Sequence, residues 1–229
     1  MKVLLNDLIN FIYPPQCHLC DCKLTSSDRF VCRKCLSELP RTGFHRDKNN
    51  PMVERFAGQF PFVNATSLFY YVPGSKLSQI VQDMKYRNYP GIGKMFGKLM
   101  YKELYSTGFF NEIDYVVPVP MHWLKKAKRG YNQSAMIGIG IAEEGNLQMM
   151  EAIKMVKIHK TQTKLSKEER LKNTEGLFQV KKQKNLNRKG VLLVDDICTT
   201  GATLGAAAKT ITGYYHDVRL SLLTLGVTF

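Results

Sequence analysis

The chain has 229 residues, of which 44% are hydrophobic and 10% aromatic, so it can build a folded core and is not a disordered segment. Its 33 Lys and Arg residues outnumber its 19 Asp and Glu residues, and the formal net charge of +14 favours a polyanionic partner such as a nucleic acid or a phosphorylated small ligand. Charges interrupt every apolar stretch before it could cross a membrane, so we expect no membrane span and, by default, a cytoplasmic location.

The first predicted element is an amphipathic helix over residues 1–12. Its apolar residues recur at helical spacing and are Leu4, Leu5, Leu8, Ile9 and Ile12. Polar residues interrupt the apolar run, and no small-residue cleavage site follows. We therefore expect a helix that packs on the protein rather than a signal peptide.

Cysteines mark the next segment, and five of the six lie between positions 17 and 35. Cys17 pairs with Cys20, and Cys32 with Cys35, in two Cys-x-x-Cys knuckles that can each present two thiolates on one side of a turn. Together they predict a closed, structural zinc site. Cys22 could replace Cys20 as a ligand. Two disulfides are the alternative, which a reducing cytoplasm disfavours.

The segment after the cysteines separates two predicted units. Residues 40–61 show little periodicity and are interpreted as a linker. We therefore divide the chain into a module at 1–45, with the N-terminal helix and the zinc site, and a main domain at 46–229. In the main domain, apolar spacing predicts a strand at 67–72 and helices at 74–87 and 92–105.

A short buried strand is predicted at 115–120, where it ends at two prolines. A basic segment follows and runs into Arg129-Gly130-Tyr131-Asn132-Gln133, and we expect a new helix to begin near Asn132. This order places cations and helix-start N–H groups at one strand end. A solvated basic loop is the alternative, but the mixture of an anion-binding arginine, a glycine, an aromatic ring and two amides argues against it.

The most informative segment is residues 191–203. Four apolar residues predict a strand buried on both faces of a parallel sheet, and they run directly into Asp195 and Asp196. A small turn with threonines and Gly201 follows, and then an Ala-rich run predicts a helix whose first N–H groups can bind a phosphate. The adjacent carboxylates can accept hydrogen bonds from sugar hydroxyls at the ligand edge of such a sheet. A Walker A loop is excluded, because no Gly-Lys-Ser/Thr follows the turn.

This segment resembles the phosphoribosyl-pyrophosphate (PRPP) motif of type I phosphoribosyltransferases. The resemblance implies an α/β fold with a parallel sheet flanked by helices, here with a small N-terminal zinc-knuckle module. It implies that Asp195 and Asp196, which are also the candidate catalytic residues, bind the ribose hydroxyls. It implies that the 5-phosphate of the ligand is bound by the loop residues Thr199, Thr200, Gly201, Ala202 and Thr203.

The whole order of motifs resembles the ComF family of competence-associated, phosphoribosyltransferase-like proteins. The zinc knuckles, the Asp-x-Val-x-Pro-Val-Pro strand, Arg-Gly-Tyr-Asn-Gln and the PRPP motif occur in that family's order. Further matches are Met84-Lys85-Tyr86 and Lys160-Thr161-Gln162-Thr163. The family often has arginine where Lys160 stands, and lysine lacks the planar fork. By the same resemblance, residues 159–173 are expected to form a hood that closes over the ligand.

The resemblance implies that the protein binds PRPP with Mg²⁺, and that Lys85 and Arg129 help to hold the pyrophosphate. The implied reaction displaces pyrophosphate at the anomeric carbon of the ribose, with an acceptor that no residue pattern specifies. Implied partners are single-stranded DNA and a helicase-like competence protein, in DNA uptake. Two alternatives stay open: a nucleobase phosphoribosyltransferase of salvage metabolism, and a nucleic-acid-binding adaptor without turnover.

Overall fold

The computed structural model describes residues 14–157, 176–182 and 185–229. The helix predicted over residues 1–12 and the hood predicted over 159–173 lie outside the described residues. Within the described ranges, no helix has the length and apolar character needed to cross a bilayer.

The described strands form two sheets. In chain order they are β1 (Asn64–Tyr70), β2 (Tyr115–Pro118), β3 (Gln148–Met149), β4 (Ile153–Met155), β5 (Phe178–Val180), β6 (Gly190–Cys198) and β7 (Arg219–Val227). The main sheet has the order β1-β7-β6-β2-β3, and every neighbouring pair in it is parallel. The strands β4 and β5 form a separate antiparallel pair.

Seven helices are described, of which the first two precede β1 and the other five lie in the connections between parallel strands. They are α1 (Arg33–Ser37), α2 (Pro51–Phe56), α3 (Lys76–Tyr86), α4 (Pro90–Tyr105), α5 (Trp123–Arg129), α6 (Gln133–Gly145) and α7 (Ala202–Tyr214), with a 3-10 turn at Phe44–Arg46. The predicted helices at 74–87 and 92–105 are confirmed as α3 and α4, and α6 begins directly after Asn132 as predicted. A parallel sheet flanked by helices confirms the predicted α/β fold class.

The core lies on both faces of the main sheet. Leu192 and Val194 of β6 belong to one buried cluster, with side chains of α3, α4 and α6. Val191 and Leu193 belong to the other cluster, with side chains of α2 and α7. Successive strand residues point to opposite faces, so a strand covered on both sides needs the unbroken apolar run that the sequence shows.

Two glycines bring α4 and α6 into backbone contact. A Cβ atom on Gly97 would lie 2.0 Å from the carbonyl oxygen of Ile137, and one on Gly140 would lie 2.1 Å from that of Lys94. No side chain fits at these distances, so the two helices can pack this closely only with glycine at both positions.

The segment predicted as a linker is partly helical. Asn50 caps α2, since its Oδ1 accepts a hydrogen bond from the Met52 N–H at 2.9 Å, and Pro51 is the first helical residue. The buried Asn50 amide also donates to the Ala65 carbonyl of β1 at 3.0 Å. The linker interpretation is therefore wrong for these residues, because α2 packs against the main sheet. The domain boundary near residue 45 stays a prediction.

Candidate functional site

The carboxyl ends of the parallel strands gather the residues that the sequence singled out. The acidic pair lies near the end of β6, where Ile197 and Cys198 follow it. Thr199, Thr200 and Gly201 connect this strand to α7. Lys85 lies in the last turn of α3. These elements meet at the edge where open α/β sheets bind their ligands.

Asp195 is a buried carboxyl group that accepts two hydrogen bonds. Its Oδ1 accepts from the Ser134 hydroxyl at 2.7 Å and from the Asp196 N–H at 2.9 Å. Burial, together with the nearby carboxylate of Asp196, raises the pKa of Asp195 to about 7. Near neutral pH this group therefore exchanges between an ionised and a protonated form.

Asp196 is partly exposed and has a cation beside it. The Lys85 Nζ lies 2.9 Å from the Asp196 Oδ2, and the Ile197 N–H donates to the Asp196 Oδ1 at 2.7 Å. Burial alone would lower the pKa of Lys85, but the Asp196 carboxylate outweighs burial and raises it. Lys85 therefore stays charged and faces the acidic pair.

The Tyr131-Asn132-Gln133 segment connects three elements around the site. The Tyr131 hydroxyl and the Gln133 amide both donate to the Met84 carbonyl at the end of α3, the latter at 3.2 Å. Asn132 donates to the Val119 carbonyl at 2.9 Å and caps α6 through the Ser134 N–H at 3.2 Å. These bonds hold Lys85 and Ser134 against the acidic pair.

Arg129 lies in the same cationic region as Lys85. Its guanidinium carbon is 5.6 Å from the centroid of the Tyr86 ring, and its NH1 donates to the Gln133 Oε1 at 3.3 Å. The pKa of Lys125 is lowered by burial and then by the charges of Arg129 and Lys85. Three cations thus share a local positive field beside the acidic pair.

The loop before α7 is suited to an anion. Gly201 adopts a left-handed conformation with a φ of 80° and has no side chain to cap α7, while the Ala202 N–H makes a long hydrogen bond of 3.4 Å to the Thr200 Oγ1. The N–H groups that follow Ala202 in this first turn are available to a phosphate. A cavity of about 450 Å³ lies on the α2 side of this loop, between residues 199–201 and the side chains of α2, and neither the acidic pair nor Lys85 lines it.

Sequence analysis missed two residues that contact the site. Ser134 donates to Asp195, yet a serine in a first helical turn carries no signal of its own. Arg55 contacts the loop after β6 through the Thr199 carbonyl. The Asn50-Pro51 pair is a helix-start signal that could have revealed α2, but not the distant contact that Arg55 makes.

The cysteines form a compact group. The sulfur atoms of Cys17, Cys20, Cys22 and Cys32 all lie within 4.8 Å of one another. Backbone N–H groups support the thiolate form, because the Cys22 N–H lowers the pKa of Cys20 and the Cys35 N–H lowers that of Cys32. This group could hold a metal such as zinc. The buried Cys35 side chain lies beside it, and which four of these five thiols coordinate a metal stays a prediction.

Comparison with known proteins finds a partial similarity to one curated relative. No protein-family model matches the chain. Competence protein F of Haemophilus influenzae is 28% identical over 138 residues, which cover 58% of this chain and 60% of that protein. The match thus spans less than two thirds of the relative.

Two solved structures are also similar. An allosteric regulatory enzyme of purine biosynthesis aligns with a TM-score of 0.41 and 18% identity, over 62% of this chain and 29% of its own. The UMP synthase of Leishmania donovani aligns with a TM-score of 0.36 and 15% identity, over 77% of this chain and 30% of its own. The resemblance of this chain to the ComF family, inferred from its motifs, is confirmed by its similarity to Competence protein F.

Proposed function

We propose that this protein binds PRPP with Mg²⁺ at the carboxyl edge of its parallel sheet and supports the handling of single-stranded DNA in natural transformation. The observation that carries the proposal is one arrangement at the end of β6. There an acidic pair, the Lys85 ammonium and the start of α7 lie together, and they complement the hydroxyls, the pyrophosphate and the 5-phosphate of PRPP.

Each group of PRPP has a matching partner. Asp195 and Asp196 accept hydrogen bonds from the ribose hydroxyls, and residues 199–203 surround the 5-phosphate. Lys85 and Arg129 neutralise the pyrophosphate. The carboxylate and hydroxyl oxygens of this edge are the kind of donor that suits Mg²⁺, which when bound would offset the charge of the pyrophosphate. Displacement of pyrophosphate at the anomeric carbon is the reaction that such a site could support.

Exposed aromatic rings beside the site support the nucleic-acid part of the proposal. Tyr86, Tyr89 and Trp123 are 68%, 41% and 67% exposed, and the basic residues Arg87, Lys125 and Lys128 lie on the same segments. Exposed aromatic rings and cations are the groups that single strands contact, because bases stack on the rings while phosphates bind the positive charges. The similarity to Competence protein F favours this role over nucleobase salvage.

The PRPP site is tested by calorimetry with PRPP and Mg²⁺ on the wild type, Asp196→Asn and Asp217→Asn. The control makes the same chemical change at an exposed carboxylate (side chain 76% exposed). We expect Asp196→Asn to weaken binding by roughly tenfold or more, because charge-assisted hydrogen bonds to the ribose are lost, and the control to bind like the wild type. Equal affinities for all three proteins, or no heat with the wild type, would contradict the site.

The nucleic-acid surface is tested by fluorescence anisotropy with labelled single-stranded DNA at several salt concentrations. We expect affinity to fall steeply with salt. Trp123→Ala should weaken binding by about 1–3 kcal/mol, the contribution of one stacked base. Tyr214→Ala is the matched control, since this exposed ring lies at the end of α7. No binding at low salt would leave nucleobase salvage as the better proposal. Equal losses of affinity in both variants would show that Trp123 is not part of the DNA-binding surface.

A further inference from the structure

Helix α2 packs directly behind the loop that precedes α7. Its capping residue Asn50 ties it to β1 through the Ala65 carbonyl. Phe56, which is buried, lies so close to Gly201 that a Cβ atom there would be 2.9 Å from the Phe56 Cε1. The loop therefore rests on α2 as well as on its own strand.

Arg55 connects α2 to this loop and to the end of β7. Its NH1 donates to the Thr199 carbonyl and lies 3.5 Å from the Cys198 Sγ. Its NH2 donates to the Thr228 carbonyl at 2.7 Å, and its guanidinium carbon lies 4.5 Å from the centroid of the Phe229 ring. Both ends of the fork are thus used, which a lysine could not reproduce.

The bond to the Thr199 carbonyl orients the next peptide group. In a trans peptide the C=O and the N–H point in opposite directions. Since Arg55 holds the Thr199 oxygen on the α2 side, the Thr200 N–H points to the other side of the loop. Arg55 also places a permanent positive charge behind the loop, and this charge favours an anion in front of it.

We infer that Arg55 is a positioning residue for the phosphate loop, which sets the orientation of the Thr199–Thr200 peptide and adds positive charge behind it. The inference rests on the proposed PRPP function and deepens it. Arg55 acts through the loop, so it contributes to binding of the 5-phosphate and not to binding of the pyrophosphate, which the other side of the site holds.

Calorimetry on Arg55→Met with three ligands separates these contributions: PRPP with Mg²⁺, pyrophosphate with Mg²⁺, and ribose 5-phosphate measured by competition against PRPP. We expect affinity for PRPP and ribose 5-phosphate to fall by a similar factor, roughly tenfold, as for the loss of a charge-assisted hydrogen bond. Affinity for pyrophosphate should stay unchanged. Arg55→Lys, which keeps the charge but not the fork, should fall between the wild type and Arg55→Met. Arg46→Met is the control, since Arg46 is exposed on the neighbouring 3-10 turn.

The ligand pattern distinguishes the ways in which the inference could fail. Wild-type affinity of Arg55→Met for ribose 5-phosphate would overturn it. An equal loss for all three ligands would also overturn it, because this would indicate a general structural defect. If circular dichroism shows that Arg55→Met is unfolded, the same three-ligand comparison is made with Arg55→Lys. A wild type that binds no PRPP overturns the proposed function instead, before any variant is compared.

Discussion

At the scale of single residues, two adjacent aspartates have different chemistry because their surroundings differ. Asp195 is buried and hydrogen-bonded to Ser134, and its pKa is raised to about 7. Asp196 is partly exposed and lies beside the Lys85 ammonium. A buried carboxyl group with a raised pKa is a common feature of functional sites. The two residues should therefore make different contributions to the proposed ligand site.

The raised pKa of Asp195 predicts a pH-dependent stability. Between about pH 4 and pH 7 the folded protein keeps a proton that the unfolded chain releases, so the contribution of Asp195 to stability falls as pH rises through this range. Asp195→Asn removes this dependence. We expect the variant to match the wild type near pH 4 and to exceed it at pH 8, by on the order of 2–4 kcal/mol.

Urea unfolding of the wild type and of Asp195→Asn at pH 4 and pH 8 measures this difference. The distant titrating groups are shared, so the difference between the two proteins reports on Asp195 together with Lys85, whose pKa the Asp195 carboxylate helps to raise. A stability difference that is the same at both pH values would show that Asp195 ionises in the folded protein as it does in the unfolded chain.

At the scale of elements, the sequence predicted the strands and helices that depend mainly on the residues within them. The apolar run 191–194 predicted a buried strand, and the Ala-rich run after Gly201 predicted α7. Less clear signals were missed: no helix was predicted for the basic segment that forms α5, and α2 was interpreted as part of a linker. For the site, the Asp-Asp and Thr-Thr-Gly residues were found from sequence. The contacts of Ser134 and Arg55 were not, because they join elements far apart in the chain.

Two Gly→Ala changes, one at the contact of α4 with α6 and one at an open position of α7, should have opposite effects on stability. Gly97→Ala puts a Cβ atom 2.0 Å from the Ile137 carbonyl oxygen, so the helices must separate, at a cost of about 1–3 kcal/mol or more. At Gly213 in α7, a Cβ atom would meet nothing within 4 Å, and Gly213→Ala should stabilise the protein by about 0.5–1 kcal/mol.

Thermal unfolding of the two variants compares these effects. We expect a lower Tm for Gly97→Ala and an equal or higher Tm for Gly213→Ala. An unchanged Tm for Gly97→Ala would mean that the two helices are not in backbone contact.

At the scale of the whole molecule, the cysteine segment shares a core with the main sheet. Leu24, Val31 and Cys32 belong to one buried cluster with Leu77 and Ile80 of α3. A polar contact also joins the two parts, since the His18 Nδ1 of the cysteine segment lies 2.9 Å from the Oδ2 of Asp83, a buried residue of α3. Loss of order in the cysteine segment should therefore reach the main sheet through α3.

Removal of the metal that the cysteine group is expected to bind tests this connection. A chelator should unfold the region from Cys17 to Cys35, since metal binding at such sites contributes to folding, and the Tm of the whole protein should fall with it. Circular dichroism during melting, with and without chelator and after zinc is added back, measures the effect. A Tm that chelation leaves unchanged would argue against a structural metal site.

The ion pair between Lys85 and Asp196 has a consequence for the order in which ligands arrive. A free divalent cation that approaches Asp196 meets the Lys85 ammonium 2.9 Å from the Asp196 carboxylate, so like-charge repulsion opposes its entry. In the proposed PRPP site, a magnesium–PRPP complex would bring anionic oxygens to Lys85 and hydroxyl donors to Asp196, and so would compensate both members of the pair. The proposed site should therefore bind the preassembled complex in preference to the bare ion.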